Sequence, residues 1–529
     1  MTSRSKPVVP PPPIYIWLFA AYPILEIYAQ NIGLLAAQDM LIALGVAWGV
    51  VTIIFLVLQR RIKNPTRAPV ITLLLIALFF SYGHIYNVVL QWLDRSESLH
   101  LVCFPAALLV FGGALYVAWQ KSRVLYKAAA YLNLTAIILV AFPVAKIADF
   151  IYYEATAEIE DLPVVTLQPN ASAAPPDVYY IILDGYSRAD WLETWYGFDN
   201  TAFLDELTAR GFYVADRSCS NYIQTQLSLP SGLSMAYINP ANAGRLTGGK
   251  GGQYLRSYIK QNNRVVQAFR SLGYTTIHFA THFSITAYNP GADVLIDFGP
   301  SGSFVTTEGD ATDRYWNALL PTTLYSPFFT YDDVLKNNTY SPWNPHRVLM
   351  SLAELKAIAT RPEPTFTFAH IIKPHDPYSF DRAGNIVDDL AGWIPETDID
   401  LAPDDQRYIE QVLFVNTQIL DVIDTILAAS DEPPIIVIQA DHAWDGRLSL
   451  NSTPRIERFP ILNAYLVPDV VKDQLYPSIS PVNSFRVIFD AYWGTDLGLL
   501  EDASYASKYE KPFAMTPLSE EMHATWCAE

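Results

Sequence analysis

Five apolar stretches fill the first part of the chain, at residues 14–29, 36–58, 69–92, 99–119 and 128–148. Several hold about 20 nearly uncharged residues, the length that crosses ~30 Å of hydrocarbon at ~1.5 Å per residue. A water-soluble helix shows a polar face every turn, and residues 51–58 show none. The pattern therefore predicts five membrane-spanning helices. The first stretch carries Pro23 and Glu26, which also fits a tilted or interfacial segment. A cleaved leader is a poor reading of it, because no small-residue site ends it and four more spans follow.

After residue 150 the pattern changes. A Pro-, Ala- and Ser-rich stretch at 168–176 marks a boundary. Short β-branched and aromatic runs follow at 178–183, 365–372 and 434–439, apolar on both faces as buried parallel strands are. Helical patterns at 200–210, 263–272, 346–359 and 406–429 separate them. Alternating strand and helix implies a mainly parallel sheet flanked by helices. The expected organisation is a five-span α-helical transmembrane domain (1–150), a linker (151–176) and an α/β domain (177–529).

Charge divides the chain at the same place. The net −18 comes from 35 Lys and Arg against 53 Asp and Glu. Residues 1–150 hold 11 against 5, and the remainder 24 against 48. The acidic balance argues against a general nucleic-acid binder, which needs a basic face for phosphates. Three cysteines are too few for a disulfide scaffold or a four-thiolate zinc site. The loop charges alternate: Arg4, Lys6, Arg60, Arg61, Lys63, Arg67, Lys121, Arg123 and Lys127 fall on one side, Arg95 on the other. By the positive-inside rule the N-terminus is cytoplasmic, and everything after about residue 150 lies outside the cytoplasm of a multi-pass cell-membrane protein.

In open parallel sheets, chemistry collects beyond the carboxyl ends of strands. The three predicted strands end in Asp184-Gly185, in His370 and His375, and in Asp441-His442. Carboxylate oxygen beside imidazole nitrogen suits a divalent cation such as Zn or Mn. Read alone, Asp441 is equally a helix cap beside a surface His, and Asp184-Gly185 a common turn. His278 and His282 are further candidates for the same cleft. The segment 219–235 clusters hydroxyls, Thr225 and Ser228 among them, just ahead of a helix start expected near Pro230. A hydroxyl at a helix N-terminus beside a metal can ionise and attack phosphorus or sulfur. It can also simply cap the helix.

Taken in order, these pieces resemble the alkaline phosphatase superfamily in its sulfatase-like branch. Within that branch they look like the membrane phosphoethanolamine transferases and lipoteichoic acid synthases, which also join five spans to an extracytoplasmic catalytic domain. Thr225, Ser228 and Pro230 reproduce the transferases' spacing after Cys219. The resemblance implies a phospho-group transferase or phosphodiesterase acting on a membrane lipid or envelope polymer. It implies Thr225 as nucleophile, with Asp184, Thr225, Asp441 and His442 holding the ion. His375 would protonate the leaving alcohol or orient the phosphate. His370, Ser228 and Arg447 are secondary candidates for contacting substrate. The chain departs from the pattern in three ways. Asp184 stands where the transferases have Glu. Ser228-Leu-Pro-Ser231-Gly232 replaces the Cys-x-Pro-Ser-Arg of true sulfatases. Ala443-Trp444 follows Asp441-His442 in place of Gly and a further His, leaving Arg447, Arg455 or Arg458 to offset phosphate charge. Cys219 and Cys527 could pair outside the cell, whereas Cys103 lies within the fourth span. The alternatives are a sulfatase-like ester hydrolase and an inactive membrane receptor or scaffold.

Overall fold

The computed structural model describes residues 11–32, 35, 37–64, 67–92, 99–120, 122–156, 162–169, 174–238, 255, 259, 263–281, 283, 285–287, 289, 291–298, 304–305, 312–326, 345–387, 402–444, 456–508 and 511–527. The chain forms two compact units. One comprises residues 1–156, 299–303 and 310–340; the other comprises 157–298, 304–309 and 341–529.

The first unit begins with helices α1 (Tyr15–Gln30), α2 (Ala37–Ile62), α3 (Arg67–Trp92), α4 (His100–Gln120) and α5 (Ser122–Thr156). Four of them, α2 to α5, are long and apolar enough to cross a membrane. They present large apolar side chains outward, with Leu101 79% and Leu109 78% exposed. Such a surface is stable in hydrocarbon and sticky in water. The 16-residue α1 differs. At ~1.5 Å per residue it spans about 24 Å, and it forms the centre of the bundle. Tyr15, Ile16 and Ala20 pack against Val51 of α2, Ile76 of α3 and Ala129 and Ala136 of α5. Alanines on both sides let the helix axes approach closely. The 35-residue α5 outruns its apolar stretch at both ends.

The unit boundary is not one cut in the sequence. Helix α10 (Thr312–Leu319) packs Tyr315 and Leu319 against Ala21, Ile24 and Leu25 of α1. The Tyr315 hydroxyl donates to the Ile24 carbonyl at 2.7 Å. The turn that follows rests on α3, where Leu324 N donates to Phe79 O at 2.7 Å. A Cβ on Gly83 would lie 2.3 Å from the Pro321 carbonyl oxygen, so this approach requires glycine.

The second unit holds an eight-stranded sheet in the order β2-β8-β7-β1-β6-β3-β4-β5. Its strands are β1 (Val178–Leu183), β2 (Tyr213–Val214), β3 (Thr275–Phe279), β4 (Val294–Phe298), β5 (Phe304–Val305), β6 (Thr365–Ile371), β7 (Ile435–Gln439) and β8 (Asn463–Leu466). The block β7-β1-β6-β3-β4 is parallel, and β2, β5 and β8 add antiparallel edges. Every residue of β1 is buried. Its odd-numbered residues Tyr179, Ile181 and Leu183 face a core shared with α6 (Ala189–Tyr196), α7 (Thr201–Ala209), α11 (Pro345–Ile358) and α12 (Pro403–Ala429). On the other face Tyr180 packs on Phe368 and on Phe485 of α14 (Pro481–Trp493). This is the expected α/β arrangement, with both sheet faces covered. Helix α12 also has the length and composition of a membrane span. Its stripe Ile409, Val412, Ile419, Val422, Ile423 and Ile426 is instead buried on the sheet, as in a core helix.

Among the described residues the remaining α-helices are α8 (Thr225–Ser234), α9 (Arg264–Ser271), α13 (Asp469–Lys472) and α15 (Glu520–Trp526), the last following a β9–β10 hairpin (Tyr505–Lys508, Lys511–Pro517). One expectation is corrected: α8 starts at Thr225, not near Pro230, which lies inside the helix. The fixed φ of proline suits a helix, and only the bond back to the Gln226 carbonyl is lost. A disulfide joins Cys219 to Cys527, linking α15 to the strand of chain that leads into α8. Trp526 sets its ring edge-on to Trp191, with centroids 5.4 Å apart. Closing so long a loop restricts the unfolded chain strongly, so Cys527→Ser should cost about 2–4 kcal/mol. The check is denaturant unfolding of the full chain in detergent under oxidising conditions; added reductant should bring the wild type down to the variant.

Candidate active site and metal centre

The site lies where β1, β6 and β7 end side by side. Because β1 pairs in parallel with both neighbours, their carboxyl ends come together. Backbone bonds then lock the ends. Asp184 N donates to Ile371 O at 3.0 Å, and His375 N donates to Asp184 O at 3.0 Å. Gly185 N donates to Asp441 Oδ1 at 3.2 Å. Gly185 has φ +75°, and a Cβ there would sit 3.5 Å from His375 Cβ. Glycine is required for the left-handed turn, and it lets the His375 segment pass close by.

Asp184 and Asp441 are both buried. Asp184 Oδ2 accepts from His370 Nε2 at 3.2 Å, and His370 Nδ1 lies 3.0 Å from the Thr286 hydroxyl. His370 is thus enclosed behind Asp184 and fixes its orientation. His278, on β3, places Nε2 3.0 Å from Thr286 O, one step further back. His442 Nδ1 donates to Ala443 O at 3.0 Å, which leaves Nε2 as an acceptor facing the site. That nitrogen lies 3.5 Å from Asp184 Oδ1 and 3.4 Å from Asp441 Oδ2. Thr225, the first residue of α8, puts Oγ1 3.3 Å from the same nitrogen. Ser228 points elsewhere: its hydroxyl donates to Tyr222 O at 2.8 Å and lies 3.1 Å from Ser220 Oγ. Ser220 in turn donates to the Asp441 carbonyl at 2.5 Å, tying the Thr225 segment to the end of β7.

His375 borders the cluster and keeps 29% of its side chain exposed. Its Nδ1 lies 2.8 Å from Asp376 O and 2.7 Å from Asp376 Oδ1. Its ring meets that of Trp444 edge-on at 5.3 Å, and Trp444 stacks on Tyr408. The Tyr408 hydroxyl donates to Gly185 O at 2.9 Å, so this aromatic wall is bonded to the β1 turn. Arg447, Arg455 and His282 lie outside the described residues. Arg458 does not: its Nη2 donates to His442 Nε2.

The sequence reading missed Thr286, Ser220, Tyr408 and the buried Lys373. Only Lys373 had a visible signal, its place in the Lys-Pro-His-Asp-Pro string. Its ammonium sits on the His375 and Pro377 carbonyls.

These groups perturb one another strongly. Burial alone would raise the Asp184 pKa, but His375, His370 and His442 hold it well below the usual carboxylate range. Burial and the nearby Asp184 charge push Asp441 up to about 6. Burial lowers the His442 pKa well below its ordinary value, and Arg458 adds to the effect. Burial would also lower His375, but Asp184 and Asp376 outweigh it and raise the imidazole to about 9. Burial brings Lys373 down to about 7.

Two sets of donor atoms each lie within 4.8 Å of one another: Asp184, His375 and His442, and Asp184, His370 and Asp441. Asp184 Oδ1 and Asp441 Oδ2 are buried oxygens with no hydrogen-bond partner among the described residues. Orphaned carboxylate oxygens facing a neutral imidazole and a hydroxyl make a donor set that fits a divalent cation.

The sulfatase-like branch of the alkaline phosphatase superfamily is the class of enzyme to which this fold corresponds. The chain belongs to the sulfatase family, whose model matches residues 176–447. No curated protein sequence matches it. Among solved structures it is similar to the C-terminal periplasmic domain of EptC from Escherichia coli in complex with Zn, at 12% identity and a TM-score of 0.41, covering 69% of this chain and 99% of that one. It is similar to the integral membrane lipooligosaccharide phosphoethanolamine transferase A from Neisseria meningitidis, at 13% identity and a TM-score of 0.39, covering 90% and 94%. It is also similar to the 2-O GAG sulfatase BT1596, at 15% identity and a TM-score of 0.38, covering 61% and 72%.

The raised Asp441 pKa has a definite sign. Folding favours its protonated form, so this group's contribution to stability is present at low pH and lost as pH rises through about 6. A bound cation reverses that penalty. Below about pH 6 the ion must displace the Asp441 proton, so affinity should fall roughly tenfold per pH unit. Calorimetric titration of metal-free protein with Zn²⁺ and Mn²⁺ between pH 5 and 8 measures this, and Asp184→Asn should abolish binding across the range.

Proposed function

We propose that this protein is a membrane-anchored, metal-dependent phospho-group transferase or phosphodiesterase with Thr225 as nucleophile. Asp184, Thr225, Asp441 and His442 hold a divalent cation, Zn or Mn. The observation that carries the reading is the placement of Thr225 Oγ1 at the N-terminus of α8, 3.3 Å from a His442 nitrogen that two buried carboxylates face. When bound, the cation lowers the pKa of the hydroxyl and offsets charge on the phosphoryl oxygens. The helix N-terminus adds to the same preference for the alkoxide.

Thr225 releases its proton to solvent, and Oγ1 forms a bond to phosphorus. The bond from phosphorus to the leaving oxygen breaks, and His375 gives that oxygen a proton. In the second half an acceptor hydroxyl returns its proton to His375 and bonds to phosphorus as the Thr225–phosphorus bond breaks, and Thr225 Oγ1 takes back a proton from solvent. His375 suits the acid role because it is charged at neutral pH and open to solvent on one side. His370 acts through Asp184 as a positioning group.

The apolar helices place the chain in the same phase as a lipid or envelope donor, which favours such a substrate over a soluble ester. The bias of nine positive charges to one in the loops supports a location outside the cytoplasm for the residues after about 150.

Thr225→Ala should lower turnover by about 10³-fold or more, while Thr225→Ser keeps a measurable fraction. Ser228→Ala should retain most activity. Mass spectrometry of protein trapped with labelled donor should find phosphate on Thr225. Transfer of label to a lipid or polymer identifies a transferase; release only to water identifies a hydrolase. Unchanged turnover in Thr225→Ala would remove the mechanism. The rate should also fall as pH rises through about 9, where His375 loses its proton.

A further inference from the structure

Arg458 sits against the one nitrogen that the proposed ion also needs. His442 has a single acceptor, Nε2, because Nδ1 is committed to the Ala443 carbonyl. Arg458 Nη2 donates to that acceptor. A guanidinium offers only N–H donors and stays charged. It therefore cannot share the Nε2 lone pair with a cation.

The arginine cannot move far when displaced. Its carbonyl accepts from Ala443 N at 2.8 Å. The next residues are fixed as well: Ser220 N donates to Phe459 O at 2.7 Å, and Arg188 N to Pro460 O at 3.1 Å. The backbone at 458–460 is thus bonded to the loop that carries His442, to the segment that carries Thr225 and to the chain following β1. Only the side chain can turn, and its tip stays in the neighbourhood of Thr225 Oγ1, itself 3.3 Å from His442 Nε2.

Local charge says what that tip would meet. Asp184, Asp441 and Asp376 line the site, and the chain after residue 150 carries 48 acidic residues against 24 basic ones. An anionic substrate needs positive charge at short range to approach Thr225. The Lys373 ammonium is held by two carbonyls. His375 is the proposed proton donor, its ring beside Trp444.

We propose that Arg458 exchanges partners on metal loading: it leaves His442 Nε2 to the ion and donates its paired N–H groups to the tetrahedral oxyanion of the substrate beside Thr225. This rests on the metal-dependent reading above. The planar fork of a guanidinium matches two oxygens of a phosphoryl group. It supplies the second cation that Ala443-Trp444 does not.

Two titrations test it on the full-length protein in detergent. The first adds Zn²⁺ to metal-free wild type, Arg458→Ala and Arg458→Lys. Removing the competing cation should tighten Zn²⁺ binding by about 3–10-fold in Arg458→Ala. The second adds inorganic phosphate to the Zn²⁺-loaded proteins. Losing a charge-assisted pair should weaken phosphate binding by about 10–100-fold in Arg458→Ala, with partial recovery in Arg458→Lys. If both variants bind Zn²⁺ and phosphate as the wild type does, the Arg458 assignment is overturned and the metal reading stands. If the wild type binds no Zn²⁺ at pH 8, the metal reading falls, and the exchange falls with it.

Discussion

Two carboxylates, Asp184 and Asp441, are buried next to each other at the end of a parallel sheet, and the rest of the site is arranged around that repulsion. Neither position is avoidable in this topology. Pairing β1 between β6 and β7 puts the residues that follow β1 and β7 side by side. Isolated burial of two like charges is strongly unfavourable. The protein meets part of the cost with directed donors: His370 to Asp184, Gly185 N–H to Asp441, and His375 charged at the rim. Among the described residues, one oxygen of each acid has no donor. The asymmetry that results, Asp184 ionised and Asp441 raised to about 6, is what a pair sharing one low-dielectric site must show. A divalent cation is the simplest group that completes it.

The positions of the acids depend in turn on rigid packing behind them. Tyr180 and Ile182 face one helical layer while Tyr179, Ile181 and Leu183 face the other, so β1 cannot slip by one residue without reversing its whole burial pattern. The Tyr408 and Ser220 hydroxyls then bond to the backbone at Gly185 and Asp441, the two turns that present the ligands. Thr225 reaches the site because α8, buried along its entire length, aims its N-terminus there. Gly232 allows that depth, since a Cβ would meet the Tyr180 hydroxyl at 3.1 Å.

The parts of this design that are local in sequence could be read from it. The runs at 178–183, 365–372 and 434–439 became β1, β6 and β7 within a residue at each end. Asp184, Asp441 and His442 were visible because they directly follow such runs, and His375 because it lies three residues beyond one, between two prolines. Thr286 was not, because its role comes from touching His370, 84 residues away. Arg458 was one of three equivalent arginines until its contact with His442 singled it out. The start of α8 was misjudged because Pro230 reads as a helix opening, whereas burial on the sheet outweighs one missing hydrogen bond. Nor does periodicity tell α12 from a membrane helix; the charges on its outer face and its buried stripe do.

Family membership fixes the fold and the class of site, but the residue at the head of α8 decides the chemistry. A hydroxyl that attacks phosphorus leaves a stable ester, and that ester is released only by a second nucleophile at the same atom. In the mechanism proposed above, one side chain serves first as acid and then as base. The surroundings of His375 fit that proposed double duty. Asp376 holds its Nδ1 side, the ring edge rests on Trp444, and over a quarter of the side chain stays open to solvent, where an alcohol can enter and leave. His442 and His370 could not exchange protons so freely, because both are enclosed and each is bonded within the site. Exposure thus separates the three histidines, one open on one side and two enclosed, in line with the roles proposed for them as acid–base group, ligand and support. That division follows from which strand end each one occupies.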